Sequence, residues 1–201
     1  MRIFGIDPGS DRTGYGCVET DGRRHQLIAC GAISARPGDS FPQRLERIHH
    51  ELTGLLTACR PTSVALENLF HASNARSALK LGHARGVAML AAVQAGCSVA
   101  EYTPAEVKRA LVGYGRAEKR QVAQMVKLLL GLDKLPTPHD AADALAVAIC
   151  HLHRMPMRDA QAGLKARVFT AGRINGSKRD VEADLQVPLP RSWRHYRPPT
   201  G

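Results

Sequence analysis

The sequence predicts an α/β protein with a mixed, five-stranded sheet flanked by helices, and three observations support this class. Three apolar, strand-like segments open the chain: RIFGID, GYGCVET and HQLIACGAIS. Two further short apolar segments, TSVALEN and CSVAEY, come later, each after a stretch that favours a helix. Consecutive strands form an antiparallel meander, whereas strands that alternate with helices usually lie parallel. A sheet that contains both arrangements is the result.

Local signals define the first half of this arrangement. Asp21-Gly22 between the second and third strands is a strong hairpin signal. Ser40 and Pro42 then open a helix with apolar residues at helical spacing, and Pro61 ends it. TSVALEN is apolar throughout, which is typical of a strand that helices cover on both faces.

The second half is predicted to be mainly helical. Residues 74–94 favour a long helix rich in alanine and glycine. Small side chains permit close helix contact, so this helix is a candidate subunit interface, with packing inside one subunit as the alternative. The sequence TPAE at 103–106 predicts a capping box that begins the next helix. Two more amphipathic helices are expected at about 118–130 and 139–153.

The composition points to a polyanionic partner. The chain holds 28 Lys and Arg against 18 Asp and Glu, for a net charge of +10. Neutralising phosphates and releasing their counterions favours binding of such a protein to nucleic acid. A generic basic surface is the alternative.

Length and patterning predict one domain at 1–155 followed by a basic, flexible C-terminal tail at 156–201. The tail lacks a sustained hydrophobic period and carries nine Lys or Arg against four acids. A solubilising tail and an auxiliary DNA- or protein-contacting arm are both consistent with it.

The five cysteines are scattered and form no C-x-x-C pair, which favours free thiols in a reducing cytoplasm. We find neither a membrane-spanning run nor a signal segment, and expect a cytoplasmic protein without a membrane partner.

Four carboxylates lie in the most apolar stretches of this basic chain. A carboxylate among aliphatic side chains costs several kcal/mol of desolvation unless something pairs it. No Lys or Arg lies beside these four in sequence, so a divalent cation is the natural partner. Oxygen ligands without zinc-like Cys or His spacing favour Mg²⁺ or Mn²⁺. The four are Asp7 in MRIFGIDPGS, Glu67 in TSVALENLF, and Asp140 and Asp143 in PHDAADALAVAIC.

These acids can meet if RIFGID and TSVALEN are neighbouring parallel strands, which lie about 4.8 Å apart. Asp140 and Asp143 are spaced i, i+3 and share one helix face, while His139 is expected to point elsewhere. Two ions about 3.5 to 4 Å apart could then activate a water and stabilise the leaving oxygen in an in-line phosphoryl displacement. A basic protein holding such ions is predicted to be a phosphodiester enzyme.

Each acid also has an ordinary alternative. Asp140 and Asp143 could complement the helix macrodipole in the first turns of their helix. Asp7 before Pro-Gly could form an Asx turn. Glu67, directly after Val-Ala-Leu in a buried strand, is the hardest to explain structurally. The presence of acids at the ends of three apolar segments favours the metal site.

Five segments of the chain carry a family resemblance. IDPGSDRTGYG, ALENLF, NARSALKLGHARGVAMLAA, EYTPAEVKRALVGYGRAEKRQV and HDAADALAVAICH, in this order and spacing, resemble the RuvC family of Holliday junction resolvases over residues 1–154. The resemblance implies a ribonuclease H-like fold and a homodimer that makes paired nicks in four-way DNA junctions. It also implies Mg²⁺ as cofactor, with Mn²⁺ as a substitute and two ions per site, and the branch-migration proteins RuvA and RuvB as partners. The tail matches no family segment.

The resemblance also assigns site residues. The family's catalytic and metal-binding acids fall on Asp7, Glu67, Asp140 and Asp143. Phe70 matches an aromatic that stacks on a base near the crossover, although a Phe after a buried strand is more often a core residue. The implied cationic DNA contacts are Lys108 and Lys119 at the scissile backbone, with Arg76, Lys80 and Arg85 extending the basic track.

Other functions compete with this interpretation. DPGSDRTG loosely resembles the phosphate loop of actin-like kinases and ATPases, but those proteins need a second such domain, for which 201 residues leave no room. A non-catalytic junction-binding module would leave four acids unexplained, since acids repel DNA. A structured-RNA-processing nuclease of the same fold is the nearest alternative, and a comparison of junction DNA with structured RNA distinguishes the two.

Overall fold

The structure, a computed structural model, describes residues 1–68 and 74–155. Its five strands form one sheet in the order β3-β2-β1-β4-β5. Neighbours β1, β2 and β3 pair antiparallel, whereas β4 pairs parallel with both β1 and β5. The predicted mixed sheet is therefore confirmed. The strands are β1 (Arg2–Asp7), β2 (Arg12–Thr20), β3 (His25–Ser34), β4 (Ser63–Glu67) and β5 (Ser98–Tyr102).

Five helices complete the described part of the chain, and their bounds lie close to those that the sequence predicts. The predicted capping box is present, because Thr103 N donates to Glu106 Oε2 at 2.9 Å and Glu106 N donates to Thr103 Oγ1 at 3.3 Å. The helices are α1 (Phe41–Cys59), α2 (Ala75–Gln94), α3 (Pro104–Val112), α4 (Lys119–Leu129) and α5 (His139–Arg154).

The sheet separates two hydrophobic cores, because successive side chains of a strand point to opposite faces. Phe4 and Ile6 of β1 face one core, which includes Leu52 of α1 and Ala88 of α2. Ile3 faces the other core, where residues of α3, α4 and α5 pack. Both faces of the central strands are thus covered, as the apolar sequence of β4 predicts.

Helix α5 lies directly against β1 and β2 because those strands carry glycines beneath it. A Cβ atom on Gly5 would lie 1.9 Å from the carbonyl oxygen of Ala144, and one on Gly14 would lie 2.1 Å from that of Asp140. Gly14 is also the β2 partner of Asp7. This backbone contact therefore fixes the start of α5 beside the end of β1.

Two predicted features fall outside the described residues: the C-terminal tail at 156–201, and Phe70. Within residues 1–68 and 74–155, no helix is both long and apolar enough to cross a membrane.

We predict that Gly14→Ala lowers the free energy of unfolding by about 1 to 3 kcal/mol, because the added methyl group must displace the backbone of α5. Gly54→Ala in α1 is the matched control, since a Cβ there would meet nothing within 4 Å. It should raise stability by about 0.5 to 1 kcal/mol, as alanine is the better helix former. Urea unfolding measures both, and equal stabilities for the two variants would contradict the proposed contact.

Candidate active site

Three of the four predicted acids meet in one cleft. Asp7 and Glu67 end the neighbouring parallel strands β1 and β4, and Asp143 reaches them from the second turn of α5. They line a cleft of about 200 Å³ together with Lys108 of α3 and Lys119 of α4. Parallel strands end at the same edge of a sheet, which is why two acids distant in sequence become neighbours here.

Asp7 and Glu67 form a hydrogen-bonded pair of carboxyl groups. Burial, followed by the charge of Glu67 and the hydrogen bond to it, raises the pKa of Asp7 to about 8. Burial likewise raises the pKa of Glu67. The pair therefore holds a proton that two exposed carboxylates would release, because two like charges this close cannot both ionise without a cation.

Asp143 forms a salt bridge with a lysine. Lys119 Nζ donates to Asp143 Oδ2 at 2.9 Å, and this hydrogen bond raises the pKa of Lys119. The lysine side chain is 82% exposed, whereas the aspartate is only 22% exposed. Lys119 therefore neutralises the cleft from its solvent side, where an incoming phosphate would meet it.

Asp140 lies one turn earlier and is not among the residues lining the cleft. Its Oδ2 accepts from Arg12 NH1 at 3.4 Å, at the start of β2. It also occupies the first turn of α5, where a negative charge complements the macrodipole. The metal-binding and dipole explanations of Asp140 both fit this position. Arg12 was not among the site residues predicted from the sequence, because only strand pairing brings this arginine beside α5.

The donor set fits a hard divalent cation, since all four groups are carboxylates and oxygen ligands suit such ions. In the described part of the chain, however, no three Asp, Glu, His or Cys side chains are positioned as they stand to hold one metal ion together. Asp143 points to Lys119 and Asp140 to Arg12, while the raised pKa values of Asp7 and Glu67 favour a proton on that pair. Metal binding would therefore displace that proton and turn Asp143 away from Lys119.

The other predicted DNA contacts lie on α2. Arg76 is exposed in its first turn, and Lys80 Nζ lies 5.8 Å from the ring centroid of Phe41. The guanidinium of Arg85 instead donates to Glu101 and is only 27% exposed. A phosphate contact by Arg85 would have to compete with that carboxylate.

The mixed sheet has acids at the ends of the neighbouring strands β1 and β4, and helix α5 contributes further acids to the same edge. This arrangement is typical of the ribonuclease H-like class of nucleases. The sequence model described as "Crossover junction endodeoxyribonuclease RuvC" matches residues 3–151. The chain belongs to this RuvC family. A protein of that name from Syntrophotalea carbinolica is 54% identical over 159 residues, which cover 79% of this chain and 98% of the relative.

Solved structures agree with this assignment. The structure of RuvC from Thermus thermophilus matches with a TM-score of 0.72 at 37% identity, covering 81% of this chain and 97% of that one. The same organism's RuvC in complex with a Holliday junction substrate matches with a TM-score of 0.70 at 36% identity, covering 76% of this chain and 94% of that one. The predicted ribonuclease H-like fold is confirmed.

We predict that the metal-free protein loses stability as the pH rises toward 8. The pKa of the Asp7 carboxyl group rises from 3.8 to about 8 on folding, so the folded protein binds this proton more tightly than the unfolded chain. That contribution is complete below about pH 4 and is lost as the pH passes about 8. In EDTA, the melting temperature of the wild type should therefore fall more between about pH 6 and pH 8 than that of Asp7→Asn.

Asp133→Asn is the control, because Asp133 is exposed and does not line the cleft. It should keep the pH dependence of the wild type, since all other titrating groups are common to the three proteins. The same dependence in Asp7→Asn as in the wild type would show that Asp7 does not carry the raised pKa.

Proposed function

We propose that this chain is a structure-selective endonuclease that resolves four-way (Holliday) DNA junctions by symmetric, paired phosphodiester hydrolysis, in homologous recombination and DNA repair. The observation that carries the proposal is the cleft of Asp7, Glu67 and Asp143 in a chain of net charge +10. Acids repel DNA, so a basic protein that only binds DNA gains nothing from gathering them. A related RuvC has been solved with a Holliday junction substrate, which supports the choice of substrate.

The nuclease is metal-dependent, and we assign Mg²⁺, with Mn²⁺ as a substitute, at two ions per site. Asp7, Glu67 and Asp143 would hold the ions, with Asp140 as a further ligand once it leaves Arg12. Bound there, the ions would supply an activated water and neutralise charge on the reacting phosphate. Carboxylate-only ligation supports this choice, because softer metals favour Cys and His ligands.

The chain's own residues prepare the cleft for a phosphate. Lys108 and Lys119 present ammonium groups to the same space as the acids, so the scissile phosphate is held against the acid edge despite their repulsion. Lys119 is free to contact this phosphate, and then the departing oxygen, once Asp143 binds a cation. Apolar side chains from α3, α4 and α5 form the remaining wall and exclude bulk water, which strengthens these charge interactions. They are Pro104, Val107, Val122 and Ala146.

Asp7→Asn tests this assignment most directly. The substitution keeps the shape of the side chain and removes one metal-binding charge, so junction cleavage in Mg²⁺ should fall by at least about 10²-fold, equivalent to several kcal/mol of transition-state stabilisation. Junction binding should persist, because the lysine and arginine side chains that meet the DNA are unchanged. Denaturing gels and a binding titration measure the two effects.

The same assay should include a linear duplex of identical sequence and a structured RNA, with Asp133→Asn as the control variant. The wild type and the control should make two symmetric nicks in the junction alone. Preferential cutting of the RNA would favour the RNA-processing alternative. Wild-type cleavage by Asp7→Asn would refute the metal-site assignment.

We further propose that the protein acts as a homodimer through the open face of α2. The alanines at 84, 88, 91 and 92 of this helix are buried inside the subunit. The opposite face instead exposes Leu79 by 65%, Leu90 by 51% and Val93 by 62%. Gly82 and Gly86 lie between them with nothing within 4 Å of an added Cβ. A stripe of exposed apolar side chains with glycines at its centre is typical of a helix–helix interface.

Leu90→Glu should therefore yield a monomer in light scattering, because it places a charge in the proposed interface. The monomer should lose paired nicking of junctions and keep the wild-type fold. Leu128→Glu is the matched control, since Leu128 lies on α4 and is 71% exposed. If both variants remain dimers, α2 is not the interface.

Membership of the RuvC family also suggests protein partners and a location. We propose that RuvA and RuvB deliver branch-migrated junctions to this nuclease. We also propose a cytoplasmic location, which the five free thiols support, because thiols stay reduced there. The roles of Phe70 and of residues 156–201 remain predictions.

A further inference from the structure

A second cavity opens beside the acid cleft. It has a volume of about 500 Å³ and lies between α4, the loop before α5 and the start of α5. Lys119 and Asp143 line both this cavity and the acid cleft. Because these two side chains are joined by the 2.9 Å salt bridge, that bridge forms the boundary between the two spaces.

The walls of this second cavity are mainly apolar. Leu135 lies in the loop before α5, outside both hydrophobic cores, and is 42% exposed. Apolar side chains that line a cavity of this size are typical of ligand pockets. Nothing in the cleavage chemistry described above uses them. The apolar lining residues are Ala123, Leu135, Pro136 and Ala142.

The rim of the cavity is cationic. Lys119 and Arg120 come from the first turn of α4, and His139 from the first turn of α5, and all three side chains are exposed. Asp143 is the one acid among the lining residues, and Lys119 neutralises it. An apolar interior with the guanidinium of Arg120 at its rim complements a nucleotide, whose base is apolar on both faces and whose phosphates are negative.

We propose that this cavity binds the base and sugar of one unstacked nucleotide next to the phosphate that is cut, while Arg120 holds a flanking phosphate. The inference rests on the proposed function, since it assumes that the scissile phosphate occupies the acid cleft. A strand that continues past the Lys119–Asp143 boundary would bring its next nucleotide to the second cavity, which begins there. A volume of about 500 Å³ lies within the range of small-molecule pockets.

The chemistry of the walls accounts for how the base is held. Unstacking a base in water loses its contacts with neighbours, and burial against Leu135 and Pro136 replaces them. The imidazole of His139 supplies a flat surface of the kind on which bases stack. The hydroxyl group of Thr137 also lines the cavity and can bond a base edge. The cavity therefore selects a nucleotide at one position beside the cut.

Binding of the base can be observed without cleavage. Four-way junctions carry 2-aminopurine at single positions on either side of the mapped cut, and full-length protein is added at saturation in EDTA. The fluorescence of this base rises when it leaves the stack. One position beside the cut should therefore brighten severalfold with the wild type, and that change should be lost with Ala123→Leu, which fills the cavity.

Gln124→Leu is the matched control, because it adds the same side chain to the neighbouring exposed position of α4, which does not line the cavity. It should brighten the probe as the wild type does. Leu135→Ala provides a second test if Ala123→Leu fails to fold. It removes a partly exposed wall residue, and should reduce the fluorescence change while leaving the melting temperature close to that of the wild type.

Cleavage of junctions randomised beside the cut in Mg²⁺ provides the second readout. The wild type and Gln124→Leu should prefer particular bases at the brightened position, and folded Ala123→Leu and Leu135→Ala should lose about tenfold or more of that preference while still cutting junctions. An unchanged preference and unchanged fluorescence in both cavity variants would overturn the inference. Absence of any junction cleavage by the wild type would instead refute the proposed function.

Discussion

Contact between α5 and the sheet at backbone distance determines where the acids of this protein meet. Gly5 and Gly14 leave no room for a side chain beneath the carbonyl oxygens of Ala144 and Asp140. The first turns of α5 therefore cannot lift away from β1 and β2 without opening the core. Since Asp7 pairs with Gly14 in the sheet, the same contact that packs the helix also brings Asp143 to the cleft.

The carboxylates of the cleft are neutralised differently in the metal-free protein and in the proposed complex with metal and DNA. A proton stabilises Asp7 beside Glu67, and Lys119 stabilises Asp143, so the metal-free site is already neutralised. Cations at the proposed site would have to displace this proton, which would couple metal binding to pH. They would also free Lys119, and Asp140 would release Arg12 if it became a ligand, so two side chains would become available to contact a phosphate. Metal binding and DNA binding should therefore strengthen each other. The metal ions would neutralise the carboxylates, and the DNA phosphates would pair with the cationic side chains that the carboxylates release.

The sequence predicted the elements and much of the site because both depend on periodic or covalently adjacent features. The acids at the ends of apolar β1 and β4 were expected to converge if these strands were parallel neighbours, and the sheet pairs them in that way. Spacing alone could not distinguish Asp143, which faces the cleft, from Asp140, which faces Arg12. The i, i+3 rule gives a shared helix face but not the partners that the fold places there. The cavity lined by residues between 119 and 143 could not be predicted from the sequence either, because an aperiodic loop forms much of its wall.

Selectivity for a branched substrate cannot come from one acid cleft. A space of about 200 Å³ admits a phosphate and its metal ions, and every DNA backbone offers those groups. Recognition of a four-way junction therefore requires contacts separated by the width of the crossover. A dimer through α2 would supply two clefts at a fixed distance, and a cavity for an unstacked nucleotide would favour sites where stacking is already interrupted. Both features draw on the same property of a junction, which is that its strands leave the regular duplex at the crossover.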